Sequence, residues 1–231
     1  MNKYPLRINK YLAESGLCSR READVLIKKK LVTVNKQTAT LGMKVNQHDL
    51  VKFKGKAITP GSKKIYLAFH KPVGIICTTD HSKPDNIIDF LQYPERIYPL
   101  GRLDVATSGL IIMTNDGELV NKVSRKENKV AKEYIVQVDK KVSDQLAKKL
   151  SKGVNIGGYV TLPAKAKIID ERKISLTIIE GKNQQVRRMC EAFGYQVQRL
   201  VRVRIGGLLL GDLPVGKWRE LLDAEVQKLL E

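Results

Sequence analysis

Residues 98–117 read Y-P-L-G-R-L-D-V-A-T-S-G-L-I-I-M-T-N-D-G and combine a strand signal with a charged loop. The apolar run Leu110–Met113 has Ser108-Gly109 before it and Asn115-Asp116-Gly117 after it. Both flanks are turn signals, and a short apolar run between two turns is typical of a buried strand. The sequence therefore predicts a short buried strand at Leu110–Met113.

A Gly-Arg-Leu-Asp loop precedes this strand and places a cation at Arg102 and a carboxylate at Asp104. An isolated Arg-x-Asp is usually a weak surface ion pair in a turn. Here the match is long, because the run G-R-L-D-x-x-T-x-G-L-x-x-x-T-N-D-G resembles the catalytic motif of the RsuA-type pseudouridine synthases. The resemblance implies that Asp104 is the catalytic aspartate. It also implies that Arg102 either touches the RNA backbone or fills the helix space that a flipped-out uridine vacates.

The charge of the chain favours an anionic polymer as partner. Its 231 residues hold 42 Lys and Arg against 24 Asp and Glu, a formal net charge of +18. Basic side chains that contact phosphates release counterions, which favours binding to nucleic acid. A hydrophobic fraction of 42% is enough for a folded core. Since no apolar stretch approaches the ~20 residues of a membrane span, and no signal peptide or lipidation motif is present, we expect a soluble cytoplasmic protein.

Cysteine and histidine are too scattered to indicate a metal site. The 3 cysteines and 3 histidines include no C-x-x-C pair and no cluster at metal-ligand spacing. His70, taken alone, is expected to be structural or solvated. Pseudouridine formation oxidises nothing and releases no group, so it requires no redox cofactor, ATP or metal. We therefore expect neither a metal nor a cofactor.

Residues 1–63 are predicted to form a small basic module. Within them, Ser19-Arg-Arg-Glu22 is a capping box, in which a hydroxyl and a carboxylate each satisfy a free amide of a helix's first turn. The module carries 14 Lys and Arg against 4 Asp and Glu, more than half of the basic excess in about a quarter of the chain. A solvated basic face would explain one lysine run, but this density over a whole module favours binding to an RNA or DNA backbone.

The module resembles the S4 RNA-binding domain in the pattern R-I-N-K-Y-L-A-E-S-G-L-C-S-R-R-E-A-D, followed by V-x-V-N. In that family two helices pack on a small sheet, and basic side chains bind structured RNA. The resemblance implies RNA contacts from Arg7, Lys10, Ser19, Arg20 and Arg21. Arg20 and Arg21 lie in the predicted first turn of a helix, where backbone amides help to hold a phosphate.

A polar stretch, Ala57–Lys64, follows this module and contains Pro60-Gly61-Ser62. This composition is typical of a linker. We therefore place an RNA-binding domain at residues 1–63 and a catalytic domain at residues 64–231.

Three further stretches resemble motifs of the same synthase family. The Lys-Pro-x-Gly at residues 71–74 resembles the turn that supports the active-site loop. Tyr134 follows Lys132 in a predicted strand, where tyrosine is usually a packing residue, but the resemblance implies that its ring stacks on the target base. The run E-G-K-N-Q-Q-V-R-R-M implies that Arg187 pairs with Asp104, although a helix's solvated face would also explain this arginine. In the strand that follows, the family places Leu200 against the base.

The chemistry that the resemblance implies needs one ionised carboxylate. Uracil is detached from C1′ of its ribose, turned over and re-attached through C5, and the carboxylate acts as a nucleophile or as a proton acceptor. A uridine within folded RNA must be flipped out, and the flipped base needs a surface to hold it. The fold implied by the family is α+β: a small S4 (αL-like) domain, then a catalytic domain with a mixed, mainly antiparallel sheet flanked by helices.

The expected partner is large-subunit (23S) ribosomal RNA, with another RNA such as tRNA as the alternative. We expect a monomer and no membrane partner. A non-catalytic RNA-binding or ribosome-assembly factor is the competing interpretation, since an S4 module joined to an inactive synthase-like domain would carry the same basic module. The joint presence of Asp104, Tyr134 and Arg187 favours an active enzyme. A DNA-binding regulator has no support beyond the charge.

Overall fold

The computed structural model describes residues 4–61 and 63–230. The chain divides into two compact units, Met1–Lys64 and Ile65–Glu231. The predicted domains and linker include residues 1–3, 62 and 231, which lie outside the described residues. Each helix of the described ranges is too short or too polar to cross a membrane.

The N-terminal unit consists of two helices and two small sheets. Its helices are α1 (Ile8–Glu14) and α2 (Arg20–Lys28), and its strands are β1 (Leu6–Arg7), β2 (Val32–Val34), β3 (Gln37–Thr38), β4 (Lys44–Val45), β5 (Val51–Phe53) and β6 (Lys56–Ala57). One sheet has the order β3-β2-β5-β6, and β1 pairs with β4. The Glu22 amide donates to Ser19 Oγ (3.1 Å) and the Ser19 amide donates to Glu22 Oε2 (2.6 Å). The predicted capping box at the start of α2 is therefore confirmed.

The C-terminal unit is built on one nine-stranded sheet. Its strands are β7 (Tyr66–Lys71), β8 (Tyr98–Leu100), β9 (Ser108–Thr114), β10 (Lys132–Val138), β11 (Lys165–Asp170), β12 (Lys173–Ile178), β13 (Val197–Ile205), β14 (Leu208–Leu209) and β15 (Trp218–Glu220). Its helices are α3 (Ile87–Leu91), α4 (Gly117–Ser124), α5 (Asp144–Ser151), α6 (Gln185–Glu191) and α7 (Asp223–Gln227), with short 3₁₀ turns at Lys126–Asn128 and Lys228–Leu230.

The strand order of this sheet is β11-β12-β10-β13-β9-β7-β15, with β8 paired to β9 and β14 to β13. The pairing of β9 with β13 is parallel, and the other strand pairs of the sheet are antiparallel. A mixed, mainly antiparallel sheet with helices follows an S4-like unit, so the predicted α+β class is confirmed.

The strand predicted at Leu110–Met113 is the centre of β9, whose seven residues are all buried. Ile111 and Met113 belong to the core on one face of the sheet, together with residues of α3, α5 and α6. Leu110 and Ile112 belong to the core on the other face, together with residues of α4. Because both faces are covered, the strand reads as an unbroken apolar run rather than an alternating one.

A short parallel pairing joins the two halves of the sheet. Ser108 and Gly109 of β9 lie opposite Val201 and Arg202 of β13. Gly109 has φ +119°, and a Cβ added there would lie 2.3 Å from the Arg202 carbonyl oxygen. Only glycine permits this close approach of two backbones. Ser108-Gly109, which indicates a turn in the sequence, therefore also forms the pairing that joins β9 to β13.

Candidate active site

A cavity of about 490 Å³ opens on the C-terminal unit. Four of the residues predicted to bind or act on the target nucleotide line it: Arg102, Asp104, Tyr134 and Leu200. They come from the loop after β8, from β10 and from β13. The tertiary fold therefore brings together residues that lie nearly 100 positions apart in the sequence.

The loop that carries Asp104 is held by backbone hydrogen bonds. The Thr107 amide donates to the Asp104 carbonyl (3.0 Å), which closes a turn around the half-buried carboxylate residue. The Gly74 amide donates to the Val105 carbonyl (2.9 Å). The Lys-Pro-x-Gly turn after β7 thus supports the Asp104 loop directly.

Tyr134 and Leu200 lie on the same face of the sheet. In the pairing of β10 with β13, Tyr134 is opposite Arg202 and Val136 is opposite Leu200. Tyr134 and Leu200 belong to one core cluster and are almost fully buried, at 8% and 4% exposure respectively. An aromatic ring and a leucine side chain are therefore fixed by packing at the wall of the cavity, where they can hold a planar base.

Arg187 does not form the ion pair with Asp104 that the family resemblance implied. Its Nη1 donates to the Val197 carbonyl (3.0 Å) and its Nη2 to the Ala106 carbonyl (2.8 Å). Among the residues that the structure describes, no ion pair links its guanidinium to the Asp104 carboxylate. Because carbonyl oxygens engage both terminal nitrogens, Arg187 instead ties the Asp104 loop to the first residue of β13.

A buried lysine near Asp104 was not predicted as a site residue. Lys71, at the end of β7, is fully buried, and its ammonium donates to the Pro72 carbonyl (2.7 Å) and the Ile75 carbonyl (2.9 Å). Burial lowers the pKa of Lys71, while Cys77 and the Asp104 carboxylate oppose that shift. A cation thus lies within electrostatic range of the candidate catalytic carboxylate.

Lys132 and Arg202 add two cations to the lining of the cavity. Arg202 is 3% exposed, and its Nε donates to the Leu110 carbonyl (2.8 Å). Lys132 donates to the Val130 carbonyl (2.8 Å). Burial, with a smaller contribution from the Arg202 charge, lowers the pKa of Lys132 to about 8. The sequence shows Arg202 as one of several arginines in an alternating strand. The alternation places it on the face of Leu200 and the exposed Arg199 on the other face, which is the signal that could have found it.

The turn-rich stretch at residues 153–163 forms a further wall of the cavity. Tyr159 is exposed and lines the cavity, and its hydroxyl donates to Glu180 Oε2 (2.7 Å). The Leu162 amide donates to Glu180 Oε1 (2.8 Å). Lys182 Nζ lies 4.0 Å from the centroid of the Tyr159 ring. The carboxylate at the end of β12 therefore anchors a wall that the sequence did not reveal.

The predicted RNA contacts of the S4-like module all lie in the N-terminal unit. Arg7, Arg20 and Arg21 are exposed, and the two latter residues lie in the first turn of α2. Lys10 pairs with Glu14 (3.5 Å) along α1. The Ser19 hydroxyl already accepts the capping hydrogen bond, so an RNA contact there would share this hydroxyl with helix capping.

Of the two carboxylates that line the cavity, Glu180 accepts hydrogen bonds from side chains, whereas Asp104 accepts none from a side chain of the described residues. Glu180 accepts hydrogen bonds from Tyr159, from the Leu162 amide and from Gln185 Nε2 (3.0 Å). Asp104 is the other carboxylate. No group of three or more His, Cys, Asp or Glu in the described ranges has a geometry that could hold a metal ion. The arrangement offers one reactive carboxylate beside an apolar and aromatic slot.

Comparison with known proteins places this geometry in a family. Residues 65–192 match the family model of RNA pseudouridylate synthases, and residues 6–51 match that of the S4 domain. The dual-specificity RNA pseudouridine synthase RluF of Escherichia coli (strain K12) is 44% identical over 228 residues, 98% of this chain and 79% of its own length. The ribosomal large subunit pseudouridine synthase B of Bacillus subtilis (strain 168) is 39% identical over 232 residues, 96% of this chain and 95% of its own.

A solved structure supports the same assignment. The crystal structure of a pseudouridylate synthase superposes with a TM-score of 0.71 and 31% identity, covering 97% of this chain and 99% of that chain. Both units of the chain are included in this match. The chain therefore belongs to the RNA pseudouridylate synthase family and is a pseudouridine synthase that carries an S4 domain.

Proposed function

We propose that this enzyme converts a specific uridine of large-subunit ribosomal RNA to pseudouridine, with Asp104 acting directly on the flipped-out nucleotide. The observation that carries the proposal is the cavity that Asp104 shares with Tyr134 and Leu200. The choice of RNA is supported by the relatives, since a protein 39% identical over 96% of this chain is named a ribosomal large subunit pseudouridine synthase.

Each lining residue has a role in this proposal. Asp104 is the reactive carboxylate, as nucleophile or as proton acceptor. The Tyr134 ring stacks on the uracil, and Leu200 contacts it from the neighbouring strand, because both side chains are fixed in the cavity wall. The exposed Arg102 contacts the RNA backbone or fills the space that the flipped base vacates. Arg187 acts through the Asp104 loop, which it holds to β13.

The N-terminal domain, residues 1–63, supplies RNA affinity, while catalysis belongs to residues 64–231. The exposed Arg7, Arg20 and Arg21, with Lys10 and Ser19, would contact the RNA backbone. This division is supported by the excess of 14 basic over 4 acidic residues in residues 1–63. The enzyme is proposed to act as a monomer in the cytoplasm.

The test uses ribosomal RNA from cells that lack this protein, labelled with tritium at uridine C5. Re-attachment through C5 releases that tritium to water, so counting the water measures turnover. Wild type and Asp104→Asn are compared, and RNA binding is measured for both. Release by wild type alone, with RNA affinity nearly unchanged in Asp104→Asn, is the expected result. Turnover by Asp104→Asn would refute the assigned role of the carboxylate.

A parallel reaction contains tRNA labelled in the same way, because the 44% identical relatives are named dual-specificity enzymes. Tritium release from tRNA alone would show that tRNA, and not ribosomal RNA, is the substrate. Absence of release from both RNAs, with tight binding retained, would instead favour a non-catalytic RNA-binding or ribosome-assembly factor.

A further inference from the structure

Two buried polar atoms at the cavity have no hydrogen-bond partner within the described part of the chain. They are Arg202 Nη2 and Thr107 Oγ1, and both residues line the cavity at 3% and 1% exposure. Buried polar groups in folded proteins nearly always have a partner, so unpaired ones at a cavity mark a place where a bound molecule could complete their hydrogen bonds. A donor and a hydroxyl at one cavity call for a ligand with hydrogen-bond acceptors.

The charges around Lys132 favour an anionic or electron-rich ligand. The other charged residues that line the cavity are Arg202 on β13, Arg102 and Asp104 in the loop after β8, Arg125 after α4, and Glu180 and Lys182 after β12. Glu180 is engaged by Tyr159 and Gln185. The positive charge of Arg202 contributes to lowering the pKa of Lys132. In the described ranges neither Lys132 nor Arg202 forms an ion pair with a carboxylate, and their hydrogen bonds go to backbone carbonyls.

We propose that Lys132 and Arg202 are catalytic residues that bind the uracil carbonyl oxygens and stabilise the negative charge on the ring as it leaves C1′. Burial distinguishes them from two other cations of the lining: Arg202 is almost fully buried and Lys132 is half-buried, whereas Arg102 and Arg125 are exposed. A phosphate stays at the solvated rim, while a flipped base enters the cavity. This inference rests on the proposed function, because it assigns a role within the same reaction.

The electron balance explains why cations are useful there. When the N1–C1′ bond breaks, its electron pair stays on uracil, and the negative charge spreads over N1, O2 and O4. After the ring turns, C5 bonds to C1′, the C5 proton goes to solvent and N1 gains a proton, so nothing is oxidised or reduced. Fixed cations in a site shielded from water lower the free energy of a transition state in which such charge develops.

The experiment varies the acidity of the leaving ring. RNAs carry either uridine or 5-fluorouridine at the position that the enzyme modifies, which is located first by sequencing the treated RNA for pseudouridine. Fluorine withdraws electrons and stabilises the ring anion without help from the protein. Single-turnover rates are measured by nuclease digestion and chromatography as loss of the starting nucleoside, which does not depend on a C5 hydrogen. The variants are Lys132→Met and Lys132→Arg, with Lys165→Met on β11, outside the cavity lining, as the matched control.

Loss of one preorganised stabilising group lowers a reaction rate about 10²–10³-fold. Lys132→Met should therefore lower the single-turnover rate on uridine by about that factor. The loss of rate that Lys132→Met causes on 5-fluorouridine should be about tenfold smaller than its loss on uridine. Lys132→Arg should restore much of the rate on both substrates. An equal loss on the two substrates, or weaker RNA binding at an unchanged rate, would overturn the inference. If wild type consumes neither nucleoside, the proposed function itself fails, and that outcome is distinct from a defect confined to the variant.

Discussion

Gly109→Ala should destabilise the C-terminal unit because it places a methyl group into the junction of β9 with β13. The added Cβ would lie 2.3 Å from the Arg202 carbonyl oxygen and 2.4 Å from its amide nitrogen. These are backbone atoms, so no flexible side chain can move aside. The pairing that must give way joins β9 to the β10–β13 half of the sheet through the opposed residues Ser108–Val201 and Gly109–Arg202.

The expected loss has two parts. Forcing an extra carbon into a packed site costs about 1–3 kcal/mol. Placing alanine at the positive φ of +119° adds backbone strain of about 1–3 kcal/mol. Together the free energy of unfolding should fall by about 2–6 kcal/mol. With a urea m-value of about 2 kcal/mol/M, the unfolding midpoint should fall by about 1–3 M.

The single tryptophan, Trp218, makes this measurement specific to one unit. It lies in β15 of the same sheet and packs edge-on against Tyr93, with ring centroids 5.3 Å apart. Tryptophan fluorescence during urea unfolding therefore reports on the C-terminal unit and not on the S4 domain. Single-turnover assays on the same samples should show slower turnover, since the displaced strand carries Arg202.

Gly211→Ala is the matched control. Gly211 also has a positive φ, +57°, but a Cβ there meets nothing within 4 Å. That variant should lose only the strain of a left-handed alanine, about 1–2 kcal/mol. If both variants lost the same stability, the close approach of β9 and β13 would not be the reason for glycine at position 109, and the reasoning would be refuted.

Three further predictions test the site and the RNA-binding domain. Lys132 has a lowered pKa of about 8, so its charge is present below that pH and lost above it. The single-turnover rate of the wild type should therefore fall as pH rises through about 8. Lys132→Arg should keep its rate to higher pH, because arginine stays charged there. A flat wild-type profile between about pH 7 and 9.5 would contradict this. Tyr159→Ala should raise the KM for RNA about tenfold and leave kcat nearly unchanged, with Tyr159→Phe near wild type. The reason is that the exposed Tyr159 ring at the cavity wall is available to stack on a base of the RNA, and a stacked base contributes about 1–3 kcal/mol. A fall in kcat alone would argue against stacking. Arg20→Ala and Arg21→Ala should each weaken RNA binding and reduce the slope of log affinity against log salt by about 1, as measured by filter binding. Arg172→Ala, an exposed arginine of the other unit, is the control, and slopes equal to wild type in all three variants would exclude these phosphate contacts.

Local features of the sequence were sufficient for several parts of the fold. The capping box at Ser19 and Glu22 depends on residues three positions apart, and it formed as predicted. The buried strand at Leu110–Met113 was readable because its turn signals and its apolar run lie within 10 residues of each other. Family resemblance then placed Asp104, Tyr134 and Leu200 in one site, and the tertiary structure brings all three to one cavity.

The charged environment of Asp104 was not readable in the same way. The family motif predicted an ion pair between Asp104 and Arg187. In the structure the Arg187 guanidinium donates hydrogen bonds to the carbonyls of Ala106 and Val197 instead. Which acceptor an arginine reaches depends on where the end of one helix meets a distant loop, and no local pattern encodes that distance.

The sequence by itself determined the family, the modular order, the basic N-terminal domain and the candidate for the reactive carboxylate, because each is carried by a contiguous motif or by composition. Only the tertiary structure decided which face of β13 lines the cavity, and therefore that Arg202 is buried there while Arg199 is exposed. The physical reason is the register of β13 against β9 and β10, which selects the face that each side chain occupies. Strand register is a long-range property, and it is what places two cations in the same cavity lining as Tyr134 and Leu200.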